Sequence, residues 1–193
     1  RGGAAQAKTP ATLAPTGLTA TPVHGVGIDL IWTDNSIDEI GFRIERATND
    51  TFSTGLTTFT VAADVTTFRD TTVLPEVTYY YRVLAYTALG DSLPSNVASA
   101  TMCIPVAIQT QPTNQTVIAG ANVSFTVVAT GTAPLSYQWR FKGAHLIDGL
   151  SVSGATTATL TLANAQPAQE GNYSVIVTNI AGSVTSSDAL LTV

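Results

Sequence analysis

The chain of 193 residues suits one large domain or two small ones. Apolar residues make up 45%, enough for real cores, and charged residues only 11%, a combination that excludes charge-driven disorder. A formal net charge of -5 with scattered basic residues argues against binding through nucleic-acid phosphates, and no run of about 20 apolar residues marks a membrane span.

Residues 1–14, RGGAAQAKTPATLA, are small, polar and Pro-containing, with no hydrophobic period, and are expected to be a linker or tail. The opening at Arg1, without a methionine, is expected to mark a processed product or an excised segment. From Pro15 the pattern changes. Ile28, Leu30 and Trp32 alternate with Asp29, Ile31 and Thr33; Phe42 and Ile44 alternate with Arg43 and Glu45. Tyr79, Tyr81, Val83 and Ala85 alternate with Tyr80, Arg82, Leu84 and Tyr86. Period-two runs broken by turn residues predict strands of a sandwich or barrel, and no helical stripe competes with them.

Pro105 marks a second start, with strands expected at 123–129, 135–141, 158–162, 173–178 and 183–193. Turns such as Lys142-Gly143 and Asp148-Gly149 separate them. The expected architecture is all-β: two tandem antiparallel Greek-key β-sandwiches, at 15–103 and 104–193.

The opening APTGLTAT, Trp32, GFRIERA at 41–47 and LPEVTYYYRVLAYTALGDSLPSN at 74–96 resemble a fibronectin type III domain. That resemblance implies a corner locked by Leu74 and Tyr79. Its integrin-binding Arg-Gly-Asp loop is absent, since the residues there are Leu89, Gly90 and Asp91. YQW at 137–139, LTL at 160–162 and EGNYSVIVTNIAG at 170–182 resemble an immunoglobulin-like domain of the kind common in secreted bacterial proteins. This second resemblance implies that Trp139 is the core tryptophan and Tyr173 the corner tyrosine. It places Val127 and Val175 where the family carries its two disulfide cysteines, packed on Trp139, and Gln169 where it carries an aspartate.

The sequence offers little catalytic chemistry. Cys103 is the sole cysteine, so no disulfide closes within the chain. His24 and His145 fall in different halves, which leaves neither a metal cluster nor a base beside a nucleophilic serine. Paired carboxylates facing across a cleft are not evident either. Asp34, Asp38 and Glu39 share one loop and are weighed as a calcium site, but their spacing matches no calcium motif and an acidic surface turn is the simpler reading. The two resemblances imply core rather than sugar-stacking positions for Trp32 and Trp139. Sequons at Asn49, Asn114, Asn122 and Asn172 are acceptors only in a host that glycosylates. No catalytic, cofactor or metal residues are assigned.

Two candidate contact surfaces stand out. Tyr80, Arg82, Leu84 and Tyr86 form an outward strip, either a contact surface or cross-strand packing against Arg43 and Glu45. Thr9, Thr12 and Leu13 have the residues of a segment that adds to a sheet edge of a neighbouring copy; the alternative is a tail lying on its own domain. With only two lysines, the edges lack a common guard. The expected function is therefore a non-catalytic extracellular or cell-surface structural or adhesive module acting through protein partners, copies of itself included, as in a filament or stalk. The alternative is an accessory spacer or binding module of a larger secreted enzyme such as a polysaccharide hydrolase. Nothing in the sequence supports a carbohydrate partner, and none implies a cofactor.

Overall fold

The computed structural model describes residues 12–193. The chain divides into two compact units, one ending at Met102 and one spanning Cys103–Val193. Both are β-sandwiches, and no α-helix occurs among the described residues.

In the first unit, β1 (Thr16–Val23), β2 (Gly27–Thr33), β3 (Gly41–Ala47) and β4 (Thr57–Ala62) precede β5 (Thr67–Asp70) and β6 (Thr78–Thr87). The short β7 (Gly90–Asp91) and β8 (Ala98–Thr101) complete it. One sheet runs β1-β2-β5; the other runs β4-β3-β6, with β7 and β8 each pairing a different stretch of β6. The alternation read from the sequence sends Ile28, Leu30 and Trp32 of one sheet against Phe42, Ile44, Tyr81 and Val83 of the other. Trp32 meets Phe42 edge-on, with ring centroids 5.6 Å apart. Its indole N–H finds no acceptor among the described residues.

One polar cluster spans the two sheets of this unit. Asp70, at the end of β5, is buried and accepts from Arg46 Nη1 of β3 at 2.7 Å and from the Tyr81 hydroxyl of β6 at 3.1 Å. Thr72 adds its backbone N–H at 2.9 Å and its hydroxyl at 2.7 Å. Burial alone would raise the carboxyl, but the Thr72 and Arg46 hydrogen bonds outweigh it and hold Asp70 below the usual carboxylate range. Burial, with the Asp70 charge beside it, pushes the Tyr81 hydroxyl strongly up, so it stays a donor.

The corner differs in detail from the expectation. Tyr79 is buried and its hydroxyl accepts the Leu74 N–H at 3.3 Å. The Leu74 side chain, however, is 63% exposed, and its neighbour Val73 fills the core instead. The lock is a backbone hydrogen bond, which fixes the chain at residue 74 without using that residue's side chain.

The second unit opens with β9 (Ala107–Thr110), β10 (Gln115–Thr116), β11 (Val123–Thr126) and β12 (Val128–Thr130). Then come β13 (Ser136–Phe141), β14 (Ala144–His145), β15 (Val152–Ser153) and β16 (Thr159–Leu162). A 3-10 turn at Pro167–Gln169 leads to β17 (Gly171–Asn179), β18 (Gly182–Thr185) and β19 (Ala189–Thr192). The large sheet runs β10-β19-β17-β13-β14, with β18 also on β17; facing it are β11-β16-β15 and the pair β12-β9. All pairings are antiparallel except β10 with β19. Trp139 lies at the centre, its N–H donated to the Thr157 carbonyl at 2.9 Å. Phe125 stacks on Tyr173 at 4.9 Å. The Tyr173 hydroxyl donates to the Gln169 carbonyl at 2.9 Å, and burial pushes it up to about 12.

Val127 and Val175 are both buried in the core that holds Trp139, with Val175 its register partner across β13 and β17. Two expected long strands are each split in two. Residues 123–129 break at Val127, whose N–H turns to the Ala158 carbonyl at 3.0 Å. Residues 183–193 break at Ser186, which accepts the Val175 N–H on its hydroxyl at 2.9 Å and returns its own N–H to the Val175 carbonyl at 2.9 Å. Ser95 treats Val83 in the same way in the first unit. A side-chain oxygen here replaces a ladder carbonyl, which hydrophobic periodicity does not register.

Asp70→Ala leaves Arg46 partly buried without its partner and is expected to cost about 3 kcal/mol in urea unfolding. Because the folded Asp70 carboxyl lies below its unfolded value of about 3.9, its stabilisation is present above that pH and lost as pH falls through the lower folded value. The acid-unfolding profile of Asp70→Asn should therefore be flatter than that of the parent protein below about pH 4. Trp139→Phe should cost about 1 kcal/mol more than Trp32→Phe, because only the former removes an indole hydrogen bond; equal losses in thermal melts would contradict this.

Candidate functional site

The outward strip of β6 is not an exposed row. Tyr80, Arg82 and Tyr86 are half-buried and Leu84 is only 9% exposed. Register explains the cover. On β3, Glu45 stands opposite Arg82, Arg43 opposite Leu84 and Gly41 opposite Tyr86. Arg82 Nε donates to Glu45 Oε2 at 2.6 Å, and the Arg82 guanidinium lies 4.2 Å from the centre of the buried Phe52 ring. Arg43 pairs with Asp91 of β7 and lies over the Tyr86 ring at 5.6 Å. Gly41 is required here, since a Cβ would sit 2.3 Å from the Val61 carbonyl and 2.8 Å from the Tyr86 hydroxyl. These contacts are cross-strand packing, and the paired charges cover Leu84.

Thr9 lies outside the described residues. Thr12 is half-buried and Leu13 exposed, and both lie beside the loop after β2 of their own unit. The Leu13 carbonyl accepts from Ser36 Oγ at 3.0 Å, and the Ala14 carbonyl from Asn35 Nδ2 at 2.8 Å. Thr12 Oγ1 reaches Asp38 Oδ2 at 3.5 Å, the long limit of a hydrogen bond. Residues 12–14 are thus held by side chains and not by a strand ladder.

The same loop corrects the acidic trio. Asp34 and Glu39 bring a carboxylate oxygen each to within 4.8 Å of Asp64, from the turn after β4, whereas Asp38 does not join them. Glu39 Oε2 is buried with no hydrogen-bond partner among the described residues. Three carboxylates supply about half of the six to eight oxygens that calcium takes.

His24 is half-buried in the turn after β1 and His145 is exposed on β14, one in each unit. Sequence reasoning passed over one hollow of about 440 Å³ on the second unit, lined by Arg140, Lys142, Asn172, Ser174 and Asp188 among others. A signal was present: Arg140 and Lys142 are the only Lys or Arg in residues 103–193.

The immunoglobulin I-set domain model matches residues 106–193. Extracellular domains 3–5 of Drosophila OTK align with a TM-score of 0.65, covering 93% of this chain and 59% of that chain at 19% identity. An I-band fragment of titin aligns with a TM-score of 0.55, covering 93% of this chain and 63% of that chain at 13% identity. The fold is immunoglobulin-like. Endoglucanase C of Cellulomonas fimi is 35% identical over 83 residues, which are 43% of this chain and 7% of that enzyme. The chain therefore spans a small part of that curated relative and less than two thirds of either solved structure. In this immunoglobulin-like setting Trp139 and Tyr173 are core and corner residues and not ligands for a sugar ring.

Because Leu84 is covered, Leu84→Ala is expected to cost about 2 kcal/mol in denaturant unfolding. A change within about 0.5 kcal/mol would mark Leu84 as a solvent-exposed residue after all.

Proposed function

We propose that this chain is a non-catalytic extracellular module that makes contacts and sets spacing within a larger secreted protein. The observation that carries this is how the reactive side chains are used. Trp139, Tyr79, Tyr173 and the arginines Arg43, Arg46, Arg69 and Arg82 are committed to core packing, corner hydrogen bonds or ion pairs. His24 and His145 sit in separate units. The stretch shared with Endoglucanase C supports an accessory role beside a polysaccharide hydrolase, since a segment of 7% is small beside a whole enzyme. The first unit, 15–103, is read as fibronectin type III-like and the second, 104–193, as immunoglobulin-like of the bacterial secreted kind.

A second reading, a structural or adhesive subunit that contacts copies of itself, is favoured by β4. Among the described residues this strand, TTFTVA, pairs only with β3, and it carries neither charge nor proline, so it leaves an unguarded edge. The two readings separate in sedimentation velocity between about 10 μM and 1 mM, the range in which weak self-association appears. A monomer throughout, with a catalytic domain found on the intact secreted protein by mass spectrometry, is the expected result. Concentration-dependent polymers that Thr60→Lys abolishes would overturn it in favour of self-assembly through β4.

A further inference from the structure

Positive charge is distributed unevenly. In the first unit Arg43, Arg46, Arg69 and Arg82 each pair with a carboxylate. In residues 103–193 the basic residues are Arg140 and Lys142 and the acidic ones Asp148, Glu170 and Asp188. Both cations line the one hollow, and neither forms an ion pair among the described residues. Arg140 Nη2 reaches Ser174 Oγ at 3.4 Å, while Arg140 Nε is buried and has no acceptor among the described residues. With no carboxylate paired to it, the guanidinium that lines the hollow keeps donors for an acceptor that enters there.

The two cations are also fixed in place. Arg140 stands on β13 opposite Ser174 on β17. Lys142 and Gly143 form the two-residue turn between β13 and β14, with φ of 49° and 84°. The Lys142 stem lies across Gly171, where a Cβ would come within 2.4 Å of Lys142 Cε. The ammonium lies 4.8 Å from the centre of the Phe141 ring. Asp188 is held by Asn172 Nδ2 at 3.2 Å and not by a cation.

We infer that this hollow binds an acidic sugar residue, a hexuronate: Arg140 and Lys142 take its carboxylate, while Asn172, Ser174 and Asp188 meet its hydroxyls. A guanidinium fork matches a carboxylate in two parallel hydrogen bonds. The neighbouring amide, hydroxyl and carboxylate supply the mixed donors and acceptors that sugar hydroxyls need. An acidic peptide fits less well, because the hollow has no apolar side chain to anchor one. Two cations on a chain of net charge -5 do not suit a polyanion such as nucleic acid. A volume of about 440 Å³ lies within the usual range for small ligands. The site uses side chains of the second unit alone, so it stands whether or not the chain serves a larger enzyme.

The test is a titration of the full chain with digalacturonate, followed by amide chemical shifts. Saturable shifts are expected at residues 140–143, 171–174 and 188, with a Kd on the order of 1 mM that weakens at high salt. Arg140→Gln should weaken binding roughly tenfold, and Arg140→Lys, which keeps the charge and loses the fork, by less. Lys142→Asn removes the second charge and suits the left-handed turn, so binding should fall while the fold is kept. Equal shifts from cellobiose would overturn the inference by removing the carboxylate from it. Acetate binding as tightly as digalacturonate would reduce the hollow to an anion site, tighter binding of tetraglutamate would assign it to a peptide, and no response at these residues would end it.

Discussion

Asp70 is the point on which the first unit depends. A carboxylate with almost no exposure is stable only if its charge is answered, and here the answer comes from three directions: Arg46 on β3, Tyr81 on β6 and Thr72 just past β5. Since β5 belongs to one sheet and β3 and β6 to the other, the cluster clamps the sandwich across its interior. The Arg46 guanidinium also lies over the Tyr79 ring at 4.7 Å and the Phe59 ring at 5.5 Å. One arginine thus links the charge cluster, the corner tyrosine and the edge strand.

The second unit solves the same problem without charge. Val127 and Val175 pack with Trp139 in an apolar core cluster, the buried polar side chains of this unit are the uncharged Ser174, Asn179 and Ser186, and the tyrosine corner closes on a backbone carbonyl rather than an ion pair. Apolar contact is non-directional, so this core tolerates the interruptions at Val127 and Ser186 that split its strands. A consequence reaches the surface: with no interior carboxylate to answer, Arg140 and Lys142 are left for the outer face.

The outer faces differ accordingly. In the first unit Arg43 and Arg82 are drawn onto β6 by Asp91 and Glu45 and cover Leu84. In the second, an arginine with an unpartnered N–H borders an open hollow. Similar sandwiches carry different surfaces because function belongs to the side chains that the core does not claim.

Period-two alternation was enough to place Trp32 and Tyr81 inside, because a pleated strand permits only two faces, whereas Trp139 was implied by the immunoglobulin-like resemblance. Composition left no apolar run long enough for a membrane-spanning helix and argued against a nucleic-acid partner. The resemblance to two known families implied the tyrosine corners at Tyr79 and Tyr173, though not that Leu74 would offer its N–H and leave Val73 to the core. Only the tertiary structure decided which outward residues were covered, that Asp64 and not Asp38 would join Asp34 and Glu39, and that Arg140 would meet Ser174 and Asn172 at one hollow. Each of these depends on register between strands far apart in the chain. Register is set by the packing of the whole sheet, and no local pattern of residues carries it.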